Sequence, residues 1–398
     1  ERRHTQFFWP DLFVTSFYSS WSETIEALWR GQLIEALEHR PGMKPLLVPA
    51  ICEPAGKPPH IILIHQESVV QPSLFPQISY DRSIDPLFRS FDGKLHKMRV
   101  ETYGGASWLT EFSILAGVST HSFGSMRPFV QSLMAGKIRD TLPESLARCG
   151  YRNVVFYPML RNFVSNARFY NAIGMPEVFD LKDQGAKTAN ERDRFYFANA
   201  LGEIEKHIAR SDKPLFTYVQ TMQAHSPYTY VYAPEEAVPG GGPGTPAELH
   251  EYLRRLSLSA RDYAWLRAEL ARRFPGERFL IVHYGDHHPI ATRPLLGVSE
   301  TDAPEDMTLD AESIGFTTYY AVDGQNYRPP PLPAHDILDV PYLGLVVLQA
   351  AGLPLSDSFK ERRRLMAICE GRYFTCPRQA EVLGFHRQLI DSGLMVAR

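Results

Sequence analysis

Five short apolar-rich runs, His60 to His65, Asn153 to Tyr157, Leu215 to Thr221, Phe279 to Tyr284 and Gly315 to Val322, recur along the chain with helical patterns between them. Runs of this length, bounded by polar clusters, read as strands buried on both faces. Asp140 to Cys149 (closed by Gly150), Ala247 to Phe274 and Asp336 to Ala351 (closed by Gly352) read as helices. The alternation predicts an α/β fold with a mostly parallel central sheet covered by helices on both faces. In such sheets ligands gather beyond the carboxyl ends of the strands, so the polar residues that directly follow each run are the ones to read for chemistry.

The flanks divide the chain into an N-terminal helix and linker at 1–57, an α/β domain at 58–358 and a C-terminal extension at 359–398. Trp21, Ile25, Leu28, Trp29, Leu33 and Leu37 predict an amphipathic helix from Ser20 to Glu38, with Ser20 and Glu23 as a capping box. Pro41 ends it, and the prolines up to Pro59 predict an extended linker. With 44% hydrophobic residues in 398, the chain has ample material for a core. Lys+Arg of 42 against Asp+Glu of 45 gives a net charge of −3 with no basic run, which argues against a nucleic-acid partner. No apolar run reaches the roughly eighteen residues of a membrane span. The start at Glu1, with no signal peptide after it, suggests a trimmed piece with a membrane anchor upstream. Of the four cysteines, Cys369 and Cys376 either close a small loop or remain buried thiols.

Three strand ends carry chemistry-bearing residues: Gln66-Glu67-Ser68, Gly285-Asp286-His287-His288-Pro289 and Ala224-His225-Ser226-Pro227-Tyr228. Glu67, Asp286 and His287 are oxygen and imidazole donors of the kind that hold Zn²⁺ or Mn²⁺ with an open position. A carboxylate after a strand also serves as a helix cap, and an Asp-His-His run also occurs in solvated loops. A fourth segment, Tyr103-Gly104-Gly105-Ala106-Ser107, is a small-residue turn before the helical pattern Trp108, Phe112, Leu115, Ala116. Ser107 there is either a plain N-cap or a nucleophile helped by the positive end of the helix.

These four segments in this order, with Glu111-Phe112 after the glycine turn, resemble the alkaline phosphatase/sulfatase superfamily, and within it the lipoteichoic acid synthase and phosphoglycerol transferase branch. The similarity runs from about Pro58 to Leu355, with a weaker echo in Asp339-Val340-Pro341-Tyr342-Leu343. It implies a three-layer sandwich and one divalent cation, Mn²⁺ first with Zn²⁺ or Mg²⁺ as alternatives, held by Glu67, Ser107, Asp286 and His287. It implies Ser107, in place of the branch's usual threonine, as nucleophile, with Thr110 as rival. His225 then contacts the transferred phospho-group, with His288 and Arg168 as further substrate contacts. The sulfatase CxPxR motif is absent from the glycine-turn region, against sulfate ester hydrolysis through formylglycine.

The activity so implied is transfer of phosphoglycerol from an anionic phospholipid to a glycan hydroxyl at the periplasmic face of the inner membrane. The alternatives are a phosphoethanolamine transferase, a phosphodiesterase using water, and a catalytically silent glycan- or head-group-binding protein. Trp108, Phe169, Tyr170, Tyr228, Tyr230 and Tyr232 read as core packing or as a sugar-stacking surface. Arg254, Arg255, Arg261, Arg267, Arg272 and Arg273 read as a solvated helix face, or one turned to anionic lipid.

Overall fold

The computed structural model describes residues 33–39, 42–297 and 309–396. Its centre is an eight-stranded sheet of β1 His60–Gln66, β2 His96–Arg99, β3 Arg152–Phe156, β4 Glu177–Phe179, β5 Leu215–Gln220, β6 Phe279–Gly285, β7 Thr317–Gln325 and β8 Ile337–Asp339. The spatial order is β4-β3-β5-β1-β6-β7-β2-β8. The β1 strand pairs in parallel with β5 and β6, as do β3 with β4 and β5, and β2 with β8; β7 runs against both β6 and β2. Strands β5, β1 and β6 therefore end side by side, with Gln66 level with Gly285. All seven residues of β1 and of β6 are buried, which explains their nearly continuous apolar sequence.

Alternation along β1 builds two cores. Ile61 and Leu63 enter one cluster, and Ile62 and Ile64 enter the other. The first is covered by α1 Ser107–Ala116, α2 Val130–Met134, α3 Leu142–Arg148, α4 Asn166–Ala172, α7 Leu343–Ala350, α8 Asp357–Ile368 and α9 Gln379–Asp391. The second is covered by α5 Asp193–Ile208 and α6 Ala247–Arg273. The α3 helix starts with a capping box between Thr141 and Glu144. The α1 helix ends at Gly117, whose φ of +67° closes the helix and whose missing side chain leaves room for Arg362; a Cβ there would lie 2.5 Å from its Nε.

Two expectations are corrected. Residues 20–32 of the expected N-terminal helix lie outside the described residues, and 33–39 are irregular. The amides of Glu35 and Leu37 bond the carbonyls of Ser122 and Leu383, so tertiary partners replace the helical ladder. The stretch from Asp336 is a strand before it is a helix: β8 pairs with β2, and a turn at Val340–Tyr342 leads into α7. The α5 helix, with its alternating charges, went unread. The cysteines pair as Cys52–Cys149 and Cys369–Cys376. No helix among the described residues is long and apolar enough to cross a membrane.

Candidate active site

Glu67 follows β1 on the face that α1 covers, and Asp286 and His287 follow the adjacent β6. The two chains cross closely where these strands end. A Cβ on Gly285 would lie 1.8 Å from the Val69 carbonyl oxygen, so only glycine fits. Asp286 Oδ1 accepts from the backbone N–H of Ser68 at 2.8 Å and of His287 at 2.9 Å, which fixes its carboxylate. Ser68 and Ala106, next to Glu67 and Ser107, both hold positive φ, 58° and 63°. Each such non-glycine residue costs about 1–2 kcal/mol.

Ala106, not Ser107, is the N-cap of α1, and it supplies no side-chain cap. Ser107 is the first helical residue and its hydroxyl turns to the cluster. Its Oγ donates to Glu67 Oε2 at 2.7 Å and lies 3.2 Å from His287 Nε2. His287 Nε2 is in turn 3.1 Å from Glu67 Oε1 and 3.2 Å from Asp286 Oδ2. The His287 ring is oriented by its Nδ1, 2.9 Å from the carbonyl of His288. Thr110, the rival hydroxyl, is fully buried and donates to the Asp286 carbonyl at 2.7 Å, so it braces the β6 turn instead.

The electrostatics show a cluster that balances its own charge with protons. Burial alone would lower the His287 imidazole, but Asp286 and Glu67 outweigh it and hold the pKa at about 9. His65 is likewise held at about 10 by Asp286 and Glu67 against burial. Burial would raise the Glu67 carboxyl, yet the facing His287 keeps it well below the usual carboxylate range. A divalent cation fits this donor set. Buried Asp286 Oδ2 is faced only by the His65 and His287 imidazoles, at 3.1 and 3.2 Å, an arrangement that a bound cation satisfies in place of their protons.

The site opens into a pocket of about 140 Å³ lined by Glu67, Ser107, Trp108, Asn166, Gln220 and His225, among others. His225 sits on its wall, half-buried. Its loop is held from below by Arg255, which is fully buried rather than solvated as its sequence neighbourhood suggested. Arg255 donates to the carbonyls of His225 at 2.6 Å and Pro227 at 2.8 Å, and its guanidinium packs over Tyr228, Tyr230 and Tyr232 at 5.1, 4.9 and 5.2 Å. Those tyrosines thus cradle an arginine, while Phe169 and Tyr170 are core.

Two expected substrate contacts are placed elsewhere. His288 is buried, with Nε2 2.7 Å from the Thr317 carbonyl and Nδ1 3.3 Å from Thr292 Oγ1, so both ring nitrogens are engaged away from the pocket. Arg168 is exposed on α4 and does not line the pocket, whereas its helix neighbour Asn166 does. Two residues given no role from sequence enter instead. His65 lies two residues before Glu67, hence on the same face of the strand. Glu111 lies one helical turn after Ser107, buried at the pocket floor, where it accepts from Tyr170, Gln220 and Gln131. Both follow from strand and helix periodicity.

Fold and site together define the class: an alkaline phosphatase superfamily domain. Residues 60–310 match the Sulfatase family, and the chain belongs to it. A Haemophilus influenzae protein described only as uncharacterized is 23% identical over 345 residues, covering 84% of this chain; the chain spans 59% of that relative's length. Among solved structures, the Streptococcus pyogenes phosphoglycerol transferase GacH, in complex with sn-glycerol-1-phosphate, shares the fold with a TM-score of 0.64 at 16% identity, over 96% of this chain and 94% of that one. The lipoteichoic acid synthase LtaP from Listeria monocytogenes gives 0.54 at 16% identity over 75% and 73%. An alkaline phosphatase superfamily protein from Vibrio parahaemolyticus gives 0.54 at 16% over 85% and 77%.

Proposed function

We propose that this chain is a phosphotransferase that takes the phosphoglycerol head group of an anionic phospholipid and passes it to a glycan hydroxyl through a phospho-Ser107 intermediate, at the periplasmic face of the inner membrane. The observation that carries the reading is the Ser107 hydroxyl, at the uncapped start of α1 and in hydrogen-bonding reach of both Glu67 and His287. A divalent cation held by Glu67, Ser107, Asp286 and His287 supplies Lewis acidity, which lowers the pKa of the hydroxyl and offsets charge on the phosphoryl oxygens.

Ser107 Oγ attacks phosphorus, the P–O bond to diacylglycerol breaks, and diacylglycerol leaves carrying the proton that serine gave up. The acceptor hydroxyl then loses its proton, its oxygen bonds phosphorus, and Ser107 is released as a hydroxyl. His225, which lines the same pocket as Ser107, is the imidazole we assign to carry the proton in each step. The free N–H groups at the start of α1 face the equatorial oxygens, where charge develops. The fold shared with GacH and LtaP supports the glycerol-phosphate donor class.

The test offers cation-loaded protein phosphatidylglycerol and phosphatidylethanolamine, each with a labelled head group, and follows diacylglycerol release. Release from phosphatidylglycerol, lost in Ser107→Ala, supports the reading. Release from phosphatidylethanolamine alone changes the donor, and free glycerol phosphate formed at full rate without acceptor makes the enzyme a phosphodiesterase. Lipid binding without turnover overturns the enzymatic account.

A further inference from the structure

We propose that His65 is a further protein ligand of the cation, and that the buried hydroxyls of Tyr284 and Tyr218 turn its Nε2 toward the ion. The inference rests on the cation site proposed above and names a residue that site did not include. His65 and Glu67 alternate onto the same face of β1, and His65 Nε2 lies 3.1 Å from Asp286 Oδ2 and 3.9 Å from Glu67 Oε2. One donor atom each from His65, Glu67 and Asp286 can be chosen so that all lie within 4.8 Å of one another. His65 Nε2 and Asp286 Oδ2 face each other, both buried, as an ion pair with no further hydrogen-bond partner on either atom. A cation that displaces the proton between them keeps both buried atoms satisfied. Donors about 2.0–2.2 Å from a common ion sit roughly 3 Å apart. The separations of Asp286 Oδ2 from His65 at 3.1 Å and from His287 at 3.2 Å have that size.

The other side of the ring explains its orientation. His65 Nδ1 is 2.9 Å from the Tyr284 hydroxyl and 3.3 Å from that of Tyr218, and the two hydroxyls are 2.9 Å apart. With two hydroxyls on that side of the ring and carboxylates on the other, the assignment is Nδ1–H of the cation-bound imidazole donating to the Tyr284 hydroxyl. The lone pair is left on Nε2, pointing at Asp286, as it is where an outer carboxylate fixes the tautomer of a metal-binding histidine.

Two imidazoles, two carboxylates and a hydroxyl make a set that favours Zn²⁺ over Mn²⁺ or Mg²⁺, which prefer oxygen donors. The experiment measures Zn²⁺ and Mn²⁺ affinity by chelator competition, and the visible spectrum of the Co²⁺-substituted protein, for wild type, His65→Asn and Tyr284→Phe, with thermal melts confirming folding. Expected are one ion per wild-type chain with Zn²⁺ the tighter, a shifted Co²⁺ spectrum with Zn²⁺ affinity down roughly 100-fold or more in His65→Asn, and a loss on the order of tenfold in Tyr284→Phe. If His65→Asn does not fold, the Tyr284→Phe arm decides. Unchanged Zn²⁺ affinity and an unchanged Co²⁺ spectrum overturn the assignment while leaving the cation site intact. A wild-type chain that binds no cation overturns the site and this inference together.

Discussion

Ser107 is the atom-level hinge of the account, because every other group at the site acts on its oxygen or on the phosphorus it attacks. Ser107→Ala is expected to keep the fold, since the side chain contributes only local hydrogen bonds, and to lower transfer by about 10⁴-fold or more; diacylglycerol release under saturating lipid measures this. The histidines give a second prediction. His287 is held at about 9 without a cation, yet it binds one only after losing its proton. Cation affinity should therefore fall as pH drops from 9 toward 6.5, by about tenfold per pH unit for each proton displaced, and calorimetry in two buffers of different ionisation heat should register proton release. The sign reverses for stability in chelator. Folded-state pKa values of about 9 and 10, for His287 and His65, lie above the unfolded value, so their stabilisation is complete below pH 6.5 and is lost as pH rises through 9–10. The structure brings together Glu67, Ser107, Asp286 and His287, which stand out in sequence because each follows a strand end or opens a helix. Arg168 and His288 lie apart from them, because sequence does not say which way a side chain turns. The burial of His288 is set by Thr317, twenty-nine residues on.

At the scale of elements, α1 is held at both ends by different chemistry. Its start carries the reacting hydroxyl, and its end is closed by buried Arg362, which donates to the carbonyls of Ala116 at 3.1 Å and Gly117 at 3.1 Å. A cation at a helix C-terminus is favourable, and removing this one orphans two buried carbonyls. Arg362→Met should cost about 2–4 kcal/mol in urea unfolding, and activity at low temperature should survive better than stability. Strands β1, β5 and β6 and helix α6 were readable from apolar runs and periodicity. Strands β2, β4 and β8 were not, because strands of three or four residues carry too little pattern to separate from loop, and β8 continues directly into a helical turn.

The described residues form one sheet with a core on each face, tied at its margins. Residues 359–396 pack into the same cluster as β1 and α1, through Phe359, Leu365, Val382 and Phe385. The two disulfides differ in what they constrain: Cys52–Cys149 spans 97 residues and Cys369–Cys376 spans 7. Loop-closure entropy gives about 4–5 kcal/mol for the first and about 2 for the second. Thermal unfolding of Cys52→Ser/Cys149→Ser against Cys369→Ser/Cys376→Ser should show the larger loss in the first pair. The central claim, that one serine under a cation becomes the attacking group, is tested most directly by peptide mass spectrometry of protein incubated with phosphatidylglycerol and divalent cation, without acceptor. The account predicts a phosphoglycerol adduct on the peptide containing Ser107, absent from Ser107→Ala. An adduct on Thr110 or His225 instead, or none on any residue while the cation is bound and lipid is consumed, would contradict it.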